Sequence, residues 1–179
     1  MTPPQTPRLR LRPYTPADQG AVLELFADPY AREFYPHMSD TVSARKWIEW
    51  NIRNYAEFGF GLWAVERNDT GQFLGDCGLT YQQIEGLDEL EIGYHILASE
   101  RRNGYATEAA RACLEFGFRR TAAAMICSIV RPSNAASSAV AARVHTARRD
   151  CIYRGAPALL FYTLRAEFAG RTARTDCSG

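Results

Sequence analysis

The sequence predicts an α/β fold, in which strands and helices alternate along a chain of 179 residues. Segments in which apolar residues alternate with other residues, such as residues 90–96, indicate strands. Segments in which apolar residues recur three and four positions apart, such as residues 105–118, indicate helices. The apolar fraction of 46% and the charged fraction of 23% are typical of a globular protein long enough to bury a core.

The first half of the chain is predicted to contain three strands and two helices. Thr15 favours a helix N-cap and Pro16 suits the first helical position, so a helix is expected to begin there. Turn-forming residues 68–71 are predicted to join two strands in a hairpin, and residues 30–36 are predicted to form a loop. The predicted strands cover residues 9–12, 61–67 and 72–81, and the predicted helices cover residues 15–27 and 42–58.

The second half is predicted to continue as strand, helix, strand, helix and strand. The short apolar run of residues 125–130 is typical of a buried strand. The small and polar residues 170–179 predict a disordered tail. The predicted strands cover residues 90–96, 125–130 and 158–165, and the predicted helices cover residues 105–118 and 134–144.

A short basic turn, Arg101-Arg102-Asn103-Gly104, separates the strand over residues 90–96 from the helix that follows it. The first turn of a helix leaves backbone N–H groups without intrahelical partners and carries roughly half a positive charge. Gly104 allows the backbone to approach an anion without an intervening side chain. Because two guanidinium groups lie beside these N–H groups, the turn is predicted to bind a phosphate or pyrophosphate.

At these residues the chain resembles the GCN5-related N-acetyltransferases, the GNAT family. The acetyl-CoA loop of that family has the pattern Gln/Arg-x-x-Gly-x-Gly/Ala, which Arg101, Gly104 and Ala106 match. Within the family, the chain is most similar to the ribosomal-protein N-acetyltransferases of the RimJ/RimL type. The segments that carry this similarity are residues 6–18, Gly-Leu-Trp-Ala-Val-Glu at 61–66, Glu-Ile-Gly-Tyr at 91–94 and Asn-x-x-Ser at 134–137. The resemblance implies one acetyltransferase domain over residues 6–168.

The resemblance also implies a twisted mixed sheet of about six to seven strands with helices on both faces. The two central parallel strands, one before the loop and one after its helix, are expected to splay apart. The backbone around Ile96 would then face the pantetheine arm of acetyl-CoA, the implied cosubstrate, and no metal is expected. The residues expected to hold the cosubstrate are Ile96, Arg101, Arg102, Asn103, Gly104, Tyr105, Ala106, Asn134 and Ser137.

Transfer of an acetyl group from a thioester to an amine requires a neutral amine, a polarised carbonyl and a thiolate that can leave. The resemblance implies that Glu91 is the base, with a surface role on its strand as the alternative. Asn134 is expected near the thioester, and it is also expected to cap the helix, since the two roles are compatible. Tyr153 is the candidate acid, or else a packed aromatic, because Ala141 occupies the position where many relatives have a tyrosine.

The chain departs from the family again at the end of the helix over residues 134–144. Relatives usually have a glycine there, which can adopt the left-handed conformation, whereas this chain has His145 and Thr146. A non-glycine residue in that conformation costs about 1 kcal/mol. Either the helix ends differently or the segment is strained, and His145 is expected to be an exposed turn residue.

Charge is unevenly distributed along the chain. Residues 1–100 carry 8 basic and 15 acidic side chains, whereas residues 101–179 carry 13 basic and 5 acidic ones. The positive second half suits the phosphates of coenzyme A. Nucleic-acid binding is the weaker interpretation, because no basic run is interleaved with aromatic residues.

Cysteine usage and hydropathy predict the compartment. The five cysteines include no CxxC pair, which indicates free thiols rather than disulfides or a metal site. No apolar run approaches the ~20 residues that span a bilayer, and no signal-peptide pattern is present. A cytoplasmic location is therefore predicted.

The predicted function is acetyl-CoA-dependent transfer of an acetyl group to a primary amine, with a protein N-terminus as one acceptor. Two alternatives remain open. One is a small amine such as an amino acid, polyamine or antibiotic, and the other is a non-catalytic acyl-CoA-binding domain. The protein is expected to be a monomer or homodimer, with no membrane or nucleic-acid partner.

Overall fold

A computed structural model of the chain describes residues 2–176 and confirms the α/β class. The strands are β1 (Leu9–Arg12), β2 (Leu62–Arg67), β3 (Phe73–Ile84), β4 (Leu87–Ile96), β5 (Met125–Val130), β6 (Ala147–Tyr153) and β7 (Ala156–Leu164). The helices are α1 (Gln19–Leu25), α2 (Pro29–Phe34), α3 (Thr41–Phe58), α4 (Tyr105–Arg120), α5 (Ala135–Val144) and α6 (Arg165–Asp176).

The strands of the described residues form one mixed sheet of seven strands, in the order β1-β2-β3-β4-β5-β7-β6. β4 and β5 are parallel. β1 with β2, β2 with β3, β5 with β7 and β6 with β7 are antiparallel pairs. The chain divides into two compact units: unit 1 comprises Met1–Thr80 with Gly93–Ala112, and unit 2 comprises Tyr81–Ile92 with Cys113–Gly179.

The helices of unit 1 begin and end at residues that suit those positions. The predicted helix start is confirmed: Thr15 caps a short 3₁₀ turn over Pro16–Asp18 that leads into α1. The Asp40 side chain caps α3 by accepting from the backbone N–H of Ser43, and α3 ends at a left-handed glycine. The core cluster of unit 1 is Tyr14, Val22, Leu25, Phe26, Ala31, Met38, Ala44, Ile48, Ala64 and Leu97.

β3 contains a local irregularity beside β2 and β4. Val65 pairs with Gly75 and Glu66 pairs with Phe73, so Leu74 is an extra residue on the β3 side. Gly75 has a φ of 151°, and a Cβ built on it would lie 2.0 Å from the carbonyl oxygen of His95. Only glycine allows β3 to approach β4 this closely, and the next residue along β3 is the fully buried Asp76.

The loop predicted over residues 30–36 is wrong in part, because α2 occupies most of it. The side chain of Asp28 accepts hydrogen bonds from the backbone N–H groups of Tyr30 and Ala31, and Pro29 stands at the first helical position. A helix of six residues is too short to show a hydrophobic period. The N-cap residue Asp28, followed by Pro29, was therefore the sequence signal that could have predicted α2.

Unit 2 contains a strand that the sequence did not predict. β6 pairs with β7 along its whole length. Ala147 lies opposite Tyr162 at one end, and Tyr153 lies opposite Ala156 at the other. The hairpin turn uses Arg154 and Gly155 with φ of 50° and 77°. β6 is the last strand in the sheet order and exposes Arg148, Arg149 and Asp150, so it lacks the apolar alternation of a half-buried strand.

The C-terminal segment continues from β7 directly into α6. The sequence predicts a disordered tail over residues 170–179, whereas the structure places residues 170–176 in this helix. Residues 177–179 lie outside the described residues. Arg165, at the start of α6, donates hydrogen bonds to the backbone carbonyls of Phe118, Thr121 and Ala123.

The expectation that His145 is exposed is wrong. α5 ends at Val144, and His145 leaves it in an extended conformation with φ of −95°, so no left-handed residue and no strain are needed. The ring of His145 is buried, with Nε2 3.1 Å from Ser128 Oγ and Nδ1 3.3 Å from Thr163 Oγ1. Burial lowers the pKa of His145 from 6.5 to about 4.

This buried histidine is expected to make stability depend on pH. Between pH 6.5 and pH 4 the unfolded chain binds a proton at His145 that the native protein does not. Stability should therefore fall by up to about 3 kcal/mol as the pH drops through that window. Urea denaturation of the wild type and of His145→Gln at pH 7.5, 6 and 5 measures the effect. His145→Gln should lose less stability on acidification than the wild type. If the free energy of unfolding depends on pH identically in the two proteins, the pKa of His145 is not lowered by burial.

Candidate active site

The predicted anion-binding turn has an open backbone in the structure. β4 ends at Ile96, and the chain passes through residues 97–104 before α4 begins. Gly104 has a φ of 83° and Arg102 a φ of 68°, so the turn contains two left-handed residues. The nearest atom to a Cβ built on Gly104 would be the Nη2 atom of Arg8, at 3.4 Å. A ligand can therefore approach the backbone of Gly104 closely.

Arg8 is a residue at this turn that the sequence analysis did not single out. Its guanidinium group contacts Glu108 at 2.5 Å and donates to the carbonyl of Asn103 at 3.1 Å, and it lies 4.8 Å from the ring centre of Tyr105. Although burial alone raises the pKa of Glu108, hydrogen bonds from Thr6 and Arg8 bring it below its usual value. Arg8 thus neutralises the acidic residue in the first turn of α4.

Arg101 connects the turn to α2 instead of presenting an unpaired guanidinium group. Two of its nitrogens donate to the two carboxylate oxygens of Asp28, at 3.0 and 2.7 Å, and its Nε donates to the Ile96 carbonyl. Burial acts to raise the pKa of Asp28, but the bonds from Arg101 and the backbone lower it overall. Arg102 and Asn103 are exposed, whereas Tyr105 is buried.

In unit 2, the predicted splay between the two parallel strands is confirmed. The β4–β5 pairing comprises Leu90 with Ile126 and Glu91 with Cys127. Beyond this point side chains bridge the strands: Ser128 Oγ donates to the Ile92 carbonyl at 2.9 Å. The backbone N–H of Ile129 donates to Glu91 Oε1 at 3.4 Å. The half-buried carboxylate of Glu91 therefore lies where the strands separate.

The other predicted site residues of unit 2 have structural partners. Asn134 is the N-cap of α5, and its Oδ1 accepts from the backbone N–H of Ser137 at 2.9 Å. The hydroxyl of Tyr153 donates to Gln82 Oε1 at 2.6 Å, and burial raises the pKa of Tyr153. Ala141 is fully buried. These contacts are compatible with both of the roles that the sequence left open for Asn134 and Tyr153.

Unit 1 also contains a hydrogen-bonded cluster that the sequence analysis missed. The fully buried carboxylate of Asp76 accepts from the Tyr14 hydroxyl at 2.9 Å and from the Trp47 indole N–H at 3.0 Å. His95 Nδ1 lies 2.6 Å from the same carboxylate, and its Nε2 lies 2.7 Å from the Tyr35 hydroxyl. The available signal was a single carboxylate within the predicted strand over residues 72–81, which is otherwise largely apolar.

Two classes of feature are not found in the described residues. None of the helices in residues 2–176 combines the length and hydropathy required of a membrane-spanning helix. The same part of the chain contains no group of three or more His, Cys, Asp or Glu side chains that could hold a metal ion.

The chain is similar to known acetyltransferases in sequence and in fold. The family model of the "Acetyltransferase (GNAT) domain" matches residues 8–146. The uncharacterized protein YkkB of Bacillus subtilis (strain 168) is 41% identical over 140 residues, which cover 78% of this chain and 81% of YkkB. An acetyltransferase structure from Agrobacterium tumefaciens str. C58 has a TM-score of 0.76 and 28% identity, covering 88% of this chain and 91% of that one. RimL, a ribosomal-protein alpha-N acetyltransferase solved with coenzyme A, shares the fold with a TM-score of 0.72 at 20% identity, covering 90% and 96%.

Proposed function

Because the chain belongs to the GNAT acetyltransferase family and is thus an acyltransferase, we propose that it transfers an acetyl group from acetyl-CoA to a primary amine. The observation that carries the proposal is the open left-handed backbone at Gly104, directly before α4. An open backbone at a helix N-terminus suits a phosphate group. The coenzyme A bound to the RimL relative supports the same cosubstrate for this chain.

The residues present at the turn fit a ligand that carries phosphates. The backbone N–H groups at the start of α4 would bind the phosphates, and the exposed Arg102 adds positive charge. Arg8 removes the repulsion that Glu108 would otherwise exert. Asn134 and Ser137 would contact the thioester end and the coenzyme arm, as the family resemblance implies.

Glu91 would accept a proton from the attacking nitrogen. Two protons leave that nitrogen overall, one from the ammonium group and one after the nitrogen–carbon bond forms. A carboxylate at the separation of β4 and β5 is suited to this, because the strand pairing ends at Glu91 and Cys127 and a ligand could enter beyond it. The sulfur leaves with the electron pair of the carbon–sulfur bond. Tyr153 is proposed as the acid that protonates the departing sulfur.

The acceptor proposed first is a protein N-terminus, supported by the similarity to RimL. A small amine, such as an amino acid, polyamine or antibiotic, is the competing acceptor. A cytoplasmic location is supported by the buried free thiols of Cys127 and Cys151.

The proposal is tested by calorimetric titration with acetyl-CoA, followed by turnover assays on N-terminal peptides, amino acids, polyamines and aminoglycosides. Binding and turnover with peptides support the first acceptor, and turnover with small amines alone supports the second. Binding without turnover on any amine would contradict the enzymatic proposal, and absence of binding would contradict the cosubstrate as well.

Glu91→Gln is expected to lower kcat about 100-fold, because general-base catalysis contributes roughly that much. Acetyl-CoA affinity should change less than about threefold, since the change removes a charge but not the shape of the side chain. Glu89→Gln on the same strand is the matched control and should retain wild-type kcat. Equal effects of the two substitutions would argue against Glu91 as the base.

A further inference from the structure

The Asp76 cluster has the donors expected around an ionised carboxylate. A tryptophan N–H can only donate a hydrogen bond, so the carboxylate is the acceptor for Trp47. Burial raises the pKa of Tyr14 well above its usual range, and Asp76 raises it further, so the Tyr14 hydroxyl also remains a donor. Burying a charge is costly even when it is hydrogen-bonded. The third partner of the carboxylate is His95, whose Nδ1 lies 2.6 Å away.

The carboxylate of Asp76 determines how His95 can exchange protons. A ring N–H at Nδ1 donates to Asp76, which leaves Nε2 of a neutral ring as an acceptor. The Tyr35 hydroxyl, 2.7 Å from Nε2, then donates to the ring. The hydroxyl oxygen of Tyr35 can in turn accept a proton from a donor that contacts it. The three groups thus form a continuous path for one proton, from Tyr35 to a histidine paired with a carboxylate.

Helix α2 holds the Tyr35 hydroxyl at the end of β4. At its N-terminus the helix is tied to the predicted anion-binding turn, because the N-cap residue Asp28 binds Arg101 through two hydrogen bonds. At its C-terminus it is tied to β4, because the C-cap residue Tyr35 contacts His95. His95 directly precedes Ile96, where β4 ends and the turn begins. The Tyr35 hydroxyl, where the proton path begins, is therefore held beside the proposed coenzyme-binding turn within unit 1.

Aromatic rings surround the histidine. The ring centres of Tyr35, Phe26 and Trp47 lie 4.8, 5.2 and 5.7 Å from that of His95. Trp50 continues this group beyond Trp47, at a ring distance of 5.6 Å. Faces of aromatic rings attract an ammonium group, most strongly where water is partly excluded. Phe26 lies in the core, but the partly buried rings of Tyr35 and Trp47 would offer such faces to an amine that arrives in its protonated form.

We propose that Tyr35, His95 and Asp76 form a relay that removes the first proton from the ammonium group of the acceptor. This inference rests on the proposed N-acetyltransferase function and assigns one of its two proton transfers. Tyr35 would contact the amine, whereas His95 and Asp76 act through it.

The transfers balance as follows. The ammonium nitrogen gives a proton to the Tyr35 oxygen, while the Tyr35 hydroxyl proton passes to His95 Nε2. The products are a neutral amine and a protonated imidazole ring, whose charge Asp76 stabilises. The amine then forms its bond to the acetyl carbon, the carbon–sulfur bond breaks, and the second proton leaves the nitrogen. His95 returns its proton to solvent after the product has left.

The relay is tested by the pH dependence of kcat/KM for His95→Gln and Tyr35→Phe, using an amine that the wild type acetylates. Without the relay, only the neutral amine in solution can react, so activity should rise about tenfold per pH unit below the pKa of the amine. For a peptide N-terminus, whose pKa is about 8, each variant should be about tenfold less active than the wild type at pH 7, and the difference should nearly disappear by pH 9.5. The double variant should be no worse than either single one, because both residues act in one path.

Two matched substitutions separate the relay from general damage. Tyr30→Phe makes the same change near the other end of α2, and His37→Gln removes another histidine, which is exposed. Both should keep the wild-type profile. Glu91→Gln should lose activity at every pH, because its proton leaves after the amine is already neutral.

Two results would overturn the relay while leaving the proposed function intact. One is a wild-type profile in both relay variants, and the other is an equal loss at all pH values, which a structural role would cause. If His95→Gln fails to fold, Tyr35→Phe decides the question, because it removes only the hydroxyl of a partly exposed residue. If the wild-type protein binds acetyl-CoA but acetylates no amine even at pH 9.5, both the relay and the proposed N-acetyltransferase function are wrong.

Discussion

Replacing Gly104 with aspartate is expected to weaken acetyl-CoA binding by at least about 100-fold. A carboxylate about 4 Å from a phosphate costs about 4 kcal/mol at an effective dielectric constant near 20, and solvent screening reduces this cost. The new carboxylate would also compete with Glu108 for Arg8, whose Nη2 atom lies 3.4 Å from the position of the added Cβ. A loss of 100-fold corresponds to about 2.7 kcal/mol.

Gly155→Asp is the matched control for this substitution. Gly155 also has a left-handed φ, 77° against 83° for Gly104, and a Cβ added there meets nothing within 4 Å. The two substitutions therefore share the backbone cost and the added charge. Calorimetric titration with acetyl-CoA should show wild-type affinity for Gly155→Asp. If Gly104→Asp and Gly155→Asp bind acetyl-CoA with equal affinity, the phosphates do not bind at Gly104.

Gly75→Ala is expected to destabilise the fold by about 4 kcal/mol. An added methyl group would lie 2.0 Å from the backbone carbonyl oxygen of His95, a contact that only a shift of β3 or β4 could relieve. Overpacking costs about 1–3 kcal/mol, and a disfavoured backbone conformation costs a similar amount. This is a large part of the ~5–15 kcal/mol that stabilises a typical domain.

Gly20→Ala provides the comparison for that prediction. Gly20 lies in α1, and a Cβ added there meets nothing within 4 Å. Alanine favours helix more than glycine does, so this variant should be more stable by about 0.5 kcal/mol. Urea denaturation of both variants measures the difference. A Gly75→Ala protein as stable as the wild type would show that β3 and β4 need not approach so closely.

The elements that the sequence predicted well have strong local signals. The strands over residues 9–12 and 125–130 have the predicted bounds, and α3 begins one residue before its predicted start. The elements that it missed lack such signals. α2 is one and a half turns long, and β6 carries charged residues because it is the last strand in the sheet order. Pairing with β7 makes β6 a strand, and this pairing depends on contacts that its own residues do not encode.

The candidate site divides in the same way. The turn before α4 could be predicted because its residues are adjacent in the sequence and match a family pattern. Arg8 could not, since its contact with Glu108 joins residues 100 positions apart. The Asp76–His95 and His95–Tyr35 contacts join residues 19 and 60 positions apart. No local period or motif indicates that such side chains will meet.

The sequence by itself determined the α/β class, the turn at Gly104 before α4 and the family, because each depends on adjacent residues or a short repeat. Only the tertiary structure decided that His145 is buried, that Arg101 binds Asp28, and that His95 contacts Asp76. The physical reason is that burial and hydrogen-bond partners are properties of packed surfaces. A polar side chain that looks solvated in the sequence becomes a buried and directed group once distant strands and helices close around it.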